Sequence, residues 1–127
     1  MKDMVERREH NRFRADNGAT AVFRRPWPRS STLGQIIDVS RGGLAFRYTG
    51  SKQPPNASFN LGISLANIGF YLGNIPFKAI WDCDIAKEAA FSFGKTRQCG
   101  VQFGELSLYQ ISQLEYFILN HTTGEVH

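Results

Sequence analysis

Apolar residues recur along this chain in short bursts, set apart by Gly, Pro and Asn, and never in one long run. Bursts of that length with such punctuation predict strands. The candidates are 19–24, Leu33–Val39, Leu44–Tyr48, Ser58–Leu65, Phe70–Leu72, Phe77–Ile85, Ala90–Phe93 and Cys99–Phe103. Much of Phe77–Ile85 alternates apolar with polar, as a strand with one wet face should. Many short strands at close spacing predict a mainly β fold, a small antiparallel barrel. Pro26 and Pro28 make 25–31 a loop around Trp27, which reads as a cover over one barrel end or a partner contact. Pro54 and Pro55 do the same for 51–56.

One stretch breaks the pattern. Ser107-Leu108-Tyr109-Gln110 has the spacing of a capping box, and Leu106 and Ile111 stand at the flanking staple positions. Leu108, Ile111, Leu114, Phe117 and Ile118 then form a stripe at helical spacing, which predicts a C-terminal amphipathic helix packed on the barrel. A dimer interface is the alternative use of that stripe. Residues 1–17 are polar and charged and read as a flexible arm, with a short helical stretch around Asp3–His10. Residues 18–120 are the barrel domain with its helix, and 121–127 a polar tail.

Composition narrows this picture. A chain of 127 residues is one domain, with a core large enough to fold. No apolar run is long enough for a membrane span and no apolar signal core opens the chain, so a cytoplasmic location is expected. Cys83 and Cys99 lack metal-ligand spacing and read as small, partly buried apolar side chains. No metal site and no cofactor are expected. Net charge is +4, and ten of the fifteen basic residues precede position 48. Arginine outnumbers lysine ten to five, which favours phosphates and guanine edges over diffuse adhesion, because the guanidinium fork matches both.

Two segments carry candidate chemistry. Arg7-Arg8-Glu9-His10-Asn11-Arg12 places Arg8 and Arg12 four apart, with Arg7 as a third guanidinium. Asp38-Val39-Ser40-Arg41-Gly42-Gly43 combines a carboxylate, a hydroxyl and a glycine-rich turn. A guanine nucleotide needs acceptors for N1–H and N2–H, a fork for O6 and N7, and charge-assisted donors for phosphate. Asp38 and Ser40 offer the acceptors, and the arginines offer the donors. Gly42 and Gly43 are read as permitting positive φ and close approach of a ligand to the backbone. Each segment alone also fits a bland reading, a solvated basic arm and an ordinary turn.

Taken together, RxxxR about thirty residues ahead of DxSxxG closely resembles the PilZ family of cyclic di-GMP receptors. Gly100-Val101-Gln102-Phe103, Leu106 and the closing helix are similar to that family's last strand and C-terminal helix, and Phe77–Trp81 to a central strand. The resemblance implies a six-stranded antiparallel β-barrel with a flexible arginine arm across one end. It implies that Arg8 and Arg12 take guanine edges and phosphates, that Asp38 and Ser40 take the Watson–Crick or N2 side, and that Gly43 permits the turn. Arg7 before the motif implies an intercalated ligand dimer. Arg41 and Gly42 are further candidates for ligand contact. Trp81 is left between a ring or wall for the ligand and a core or barrel-surface role.

The function expected is that of a cytoplasmic receptor for the bacterial second messenger cyclic di-GMP. It would act without chemistry, ordering its arm and altering the surface offered to an effector protein in trans. One alternative is an interaction adaptor of the same fold with little ligand affinity. Another is a single-stranded nucleic-acid-binding barrel, disfavoured because the ten phenylalanines sit where core packing explains them. An enzyme has no support, since no nucleophile–base pair, metal-ligand spacing or P-loop is visible.

Overall fold

In the computed structural model, which describes residues 10–25, 30–49, 60–85 and 96–126, the alternating segments become one antiparallel sheet. Its strands are β1 (Arg12–Ala15), β2 (Thr20–Arg25), β3 (Ser30–Val39), β4 (Gly43–Thr49), β5 (Asn60–Leu65), β6 (Phe70–Ile75), β7 (Phe77–Asp84), β8 (Thr96–Phe103) and β9 (Thr122–Val126). One helix, α1 (Leu108–Asn120), stands between β8 and β9. The sheet runs β6-β5-β2-β3-β4-β8-β7 and curls strongly into a half-barrel, with β1 joined to β3 and β9 joined to β1. Arg7, Arg8, Trp27 and the strand expected at Ala90–Phe93 lie outside the described residues.

The inner face is what alternation predicts. On β4, Leu44, Phe46 and Tyr48 point into the core, which they share with Ile36, Val39 and Val101 of the neighbouring strands and with Phe23 and Ile63. The Phe23 ring lies 4.5 Å from Phe46 and 5.3 Å from Phe77, centroid to centroid. Burying each such side chain contributes roughly 1.5–3 kcal/mol, so the rings hold the two walls of the curl together.

Helix α1 begins with the capping box the sequence predicts. The Ser107 hydroxyl accepts from the Gln110 amide at 3.1 Å, and the Gln110 side-chain oxygen accepts from the Ser107 amide at 3.0 Å. The Gln110 side-chain amide also donates to the carbonyls of Gly73 and Asn74 on β6. That polar tie fixes the first turn, so Leu108 need not be buried: it is 85% exposed, and Ile111 is also exposed. Packing is concentrated further along, where Leu114 and Phe117 are buried and Ile118 leans on the core. The expected apolar stripe is therefore only partly a packing face.

Two elements form where an arm and a tail were expected. Strand β1 lies within 1–17 and β9 within 121–127, and they pair antiparallel, Arg12 opposite Val126 and Phe13 opposite Glu125. β1 also pairs with the end of β3, Phe13 opposite Val39 and Arg14 opposite Asp38. Both are short: β1 alternates over only four residues, and Val126 is the one large apolar residue of β9. They bring the strands among the described residues to nine, against the six expected.

At the far end of β4 a polar cluster lies inside the barrel. The Tyr48 hydroxyl donates to Asp82 at 2.7 Å, and Arg97 Nε donates to the other Asp82 oxygen at 2.7 Å. Arg97 also pairs with Asp84. Burial, then the bond to Asp82, raises the Tyr48 pKa far above the ordinary tyrosine value. Nearby Cys99 is buried and its thiol is pushed up to about 12, chiefly by that burial. Cys83 is exposed, against the partly buried position expected.

Candidate ligand-binding site

The outer face of the same strands carries the motif residues. Directly paired residues in a sheet project to the same face, so one row can be followed across four neighbouring strands and the arm. It runs from Arg14 on β1 to Asp38 on β3, Ala45 on β4, Gly100 on β8 and Trp81 on β7. Arg12 precedes Arg14 by two and so shares its face.

Arg12 and Asp38 are joined. Arg12 Nε and Nη2 donate to Asp38 Oδ1 at 3.1 and 3.0 Å, and Nη2 reaches Oδ2 at 3.2 Å. Residues 26 apart in sequence, one from each motif, thus form a forked charge-assisted pair. The Asp38 side chain is 11% exposed, whereas the Arg12 side chain is 33% exposed. The carboxylate is fixed in the sheet wall and the guanidinium covers it from the solvent side.

Local geometry explains the turn. The Ser40 amide donates to the Gly43 carbonyl at 2.8 Å, and the Ser40 hydroxyl accepts from the Gly42 amide at 3.1 Å. The Gly42 carbonyl accepts from the Phe103 amide, anchoring the turn to the end of β8. Neither Gly42 nor Gly43 has positive φ, contrary to the expected reason for these glycines. Close approach is the reason instead. A Cβ at Gly43 would sit 2.1 Å from the Val101 carbonyl oxygen, and one at Gly42 would sit 2.8 Å from the His10 ring. Gly43 therefore lets β4 start flush against β8, and Gly42 seats His10 over the turn.

Around this turn the site meets helix α1. Arg41 pairs with Glu115 of the helix at 3.4 Å, both partly solvent-exposed. Two clefts of about 390 Å³ each flank this bridge and share His10, Arg41 and Glu115 as walls. One has an apolar floor of Phe103, Leu106 and Leu114, and the other is bounded by Phe13 and Ile118.

Trp81 is partly exposed, and its indole covers Gly100, where a Cβ would come within 2.2 Å of the ring nitrogen. A β-bulge between Ala79 and Trp81 turns it onto this face. The structure thus brings together Arg12, Asp38, Ser40, Arg41, Gly42 and Gly43 at one end of the half-barrel. Sequence reasoning missed Arg14 and Glu115. Arg14 had a usable signal, since it lies at the same strand parity as Arg12. Glu115 had none, because nothing in a helix spacing says which turn it will meet.

The PilZ domain model matches residues 6–120, so this chain belongs to the PilZ domain family. Its fold is similar to that of K. pneumonia MrkH in a c-di-GMP complex, at TM-score 0.66 and 22% identity, with 89% of this chain and 51% of MrkH covered. It is similar as well to the PilZ domain of YcgR from Escherichia coli with c-di-GMP, at TM-score 0.64 and 16% identity, with 91% of each covered. MrkH in its apo state aligns at TM-score 0.65 and 20% identity, over 87% of this chain and 49% of MrkH. The chain thus spans about half the length of MrkH. No curated protein matches. Among the described residues no helix is long and apolar enough to cross a membrane.

Proposed function

We propose that this chain is a receptor for cyclic di-GMP and that it binds the ligand on the outer face of β1, β3, β4 and β8, without catalysis. The observation that carries this is the Arg12–Asp38 pair beside the Ser40–Gly43 turn. A guanine base satisfies both partners at once. Its N1–H and N2–H donate to the Asp38 carboxylate, while its O6 and N7 accept the Arg12 fork. Ligand entry then exchanges one forked pair for two, so the carboxylate is never left in the wall without a donor.

In this reading Arg8 joins Arg12 at the guanine edge and phosphates, and Ser40 supplements Asp38. Arg41 leaves Glu115 for a phosphate. Arg7 bridges a second, intercalated ligand molecule. Trp81 supplies a flat partner at the other end of the row; three strand spacings separate it from Asp38, about 14 Å. Ligand binding fixes the arginine-bearing segment ahead of β1 against the barrel, and the changed surface is read by an effector protein in trans. Fixing those residues costs roughly 1–2 kcal/mol each, which several charge-assisted contacts must offset. Loss of a single arginine therefore removes most of the affinity. Membership of the PilZ family and likeness to two proteins solved with c-di-GMP support this reading.

Calorimetric titration with cyclic di-GMP, beside GTP and a short single-stranded oligonucleotide, tests it. Saturable binding of the cyclic dinucleotide alone, lost in Arg8→Ala and Asp38→Ala, is the expected result. Two ligands per chain would support the role given to Arg7. A folded protein that binds none of the three leaves the adaptor reading in its place, and salt-sensitive binding of the oligonucleotide favours the nucleic-acid reading.

A further inference from the structure

The strand that carries Arg12 is held mainly from its outer side. β1 meets β3 through two paired positions, Phe13 with Val39 and Arg14 with Asp38. It meets β9 through four, Arg12 with Val126, Phe13 with Glu125, Arg14 with Gly124 and Ala15 with Thr122. Arg12 itself has its register partner on β9 and none on β3. β9 in turn is rooted in helix α1. The Thr122 hydroxyl donates to the Ile118 carbonyl at 2.7 Å, and the His121 amide donates to the Phe117 carbonyl at 2.8 Å.

The root is packed as well as bonded. The His121 ring stands between Phe70, Tyr116 and Phe117, with centroids 5.6–6.3 Å away. Its carbonyl accepts from the Asp16 amide at 3.0 Å, and its Nδ1 faces the Asp16 carboxylate at 3.8 Å. The end of β1 is thus tied to the end of α1 at His121, and the start of β1 is tied to β9.

From this geometry we infer that β9 is a positioning element of the ligand site: it clamps β1 so that the Arg12 guanidinium stands over Asp38. The inference rests on the reading of Arg12 and Asp38 as ligand groups. A clamp that opens removes the binding-competent state, and the apparent affinity falls by the fraction of molecules left closed. Because β9 continues directly from α1, the clamp also joins ligand occupancy to that helix.

Proline substitution in the full-length chain tests the clamp. Successive backbone N–H groups in a strand point to opposite edges, so of Gly124→Pro and Glu125→Pro at least one removes a donor facing β1. Glu125→Thr is the conservative control: the residue is exposed, its register partner Phe13 lies on the face away from Asp38, and threonine suits a strand. Three quantities are read in each variant: amide exchange at residues 12–15 without ligand, thermal unfolding of the barrel, and cyclic di-GMP affinity.

The proline variant that speeds exchange at 12–15 is expected to bind at least about tenfold more weakly, matching closed fractions near one in ten. Barrel unfolding stays close to wild type, and Glu125→Thr keeps wild-type exchange and affinity. Wild-type affinity in a variant whose β1 exchanges freely would overturn the inference, and so would unchanged exchange in both proline variants. If the wild-type chain binds no cyclic dinucleotide, the ligand reading fails while the exchange data still decide whether β9 holds β1.

Discussion

Two arginine–carboxylate arrangements sit at opposite ends of the same strands, and they differ in what surrounds them. At the Gly43 end, Arg12 and Asp38 pair on the outer face, and the Arg12 side chain is 33% exposed on a four-residue strand. At the Thr49 end, Asp82 pairs with Arg97 inside the barrel, with side chains 6% and 13% exposed. There the carboxylate is held from two sides, by the Tyr48 hydroxyl and by Arg97. The difference teaches what makes an ion pair exchangeable. Asp82 is nearly buried and already held by two donors, so that pair serves the fold. Asp38 has a partner on the solvent side that can turn to a ligand, so in the function proposed above that pair serves recognition.

The comparison breaks most sharply at Asp82. Asp82→Ala strands the Tyr48 hydroxyl inside the barrel and leaves Arg97 with Asp84 alone, and the unpartnered hydroxyl is expected to cost about 1–3 kcal/mol of stability in a urea unfolding experiment. Ligand affinity of the protein that remains folded should hardly move. Asp38→Ala should do the reverse. Its stability loss is expected within about 1 kcal/mol, because the partly exposed Arg12 regains water. Cyclic di-GMP affinity should fall by about a hundredfold, about 2.7 kcal/mol, as measured calorimetrically.

Tyr48 sharpens the contrast through pH. Its folded pKa is raised above the unfolded value of 10.0, so folding favours the protonated phenol. The associated stability is fully present below pH 10 and is lost as pH rises above it toward the folded value. Cys99, also raised, adds a loss of the same sign above the ordinary thiol value of 9.0. Tyr48→Phe is therefore expected to cost about 1 kcal/mol at neutral pH, by removing a donor from Asp82, and to flatten the alkaline decline. Chemical denaturation at pH 8 and pH 11 checks both. The smallest effect belongs to the exposed Arg41–Glu115 bridge. Glu115→Gln should leave stability within about 0.5 kcal/mol and tighten ligand binding by at most about twofold, by freeing Arg41.

How much of this was legible beforehand follows the same division. The inner face was, because core packing writes itself as alternation: the placing of β2, β4, β5, β7 and β8 follows from their apolar residues. The start of α1 was legible too, since a capping box is a local bond pattern in four residues. β1 and β9 were not, because an alternation of four residues in β1 is too short to stand out and β9 is held by its backbone ladder with little apolar content. The exposure of Leu108 was hidden for a related reason. The first turn of α1 is fixed by Gln110 reaching β6, a contact 36 residues away that no local pattern encodes.

At the site, the residue types were legible and their partners were not. Asp38 and Ser40 were expected to share acceptor duty toward a ligand; within the protein the Ser40 hydroxyl accepts from the Gly42 amide and Asp38 is held by Arg12, partners that no spacing names. The glycines were expected for their backbone freedom, whereas Gly43 is required by the Val101 carbonyl of a neighbouring strand. Such requirements come from strand register, which turns on tertiary pairing.

The measurement that tests the central claim most directly is to follow the Arg12 side-chain Nε–H by NMR while cyclic di-GMP is added. The account predicts that this resonance starts as a proton bonded to Asp38 and shifts to a new bonded position, saturating with the calorimetric affinity. Saturable binding that leaves the Arg12 resonance where it began would contradict it, because Asp38 would then have kept its partner and the guanine would lie elsewhere.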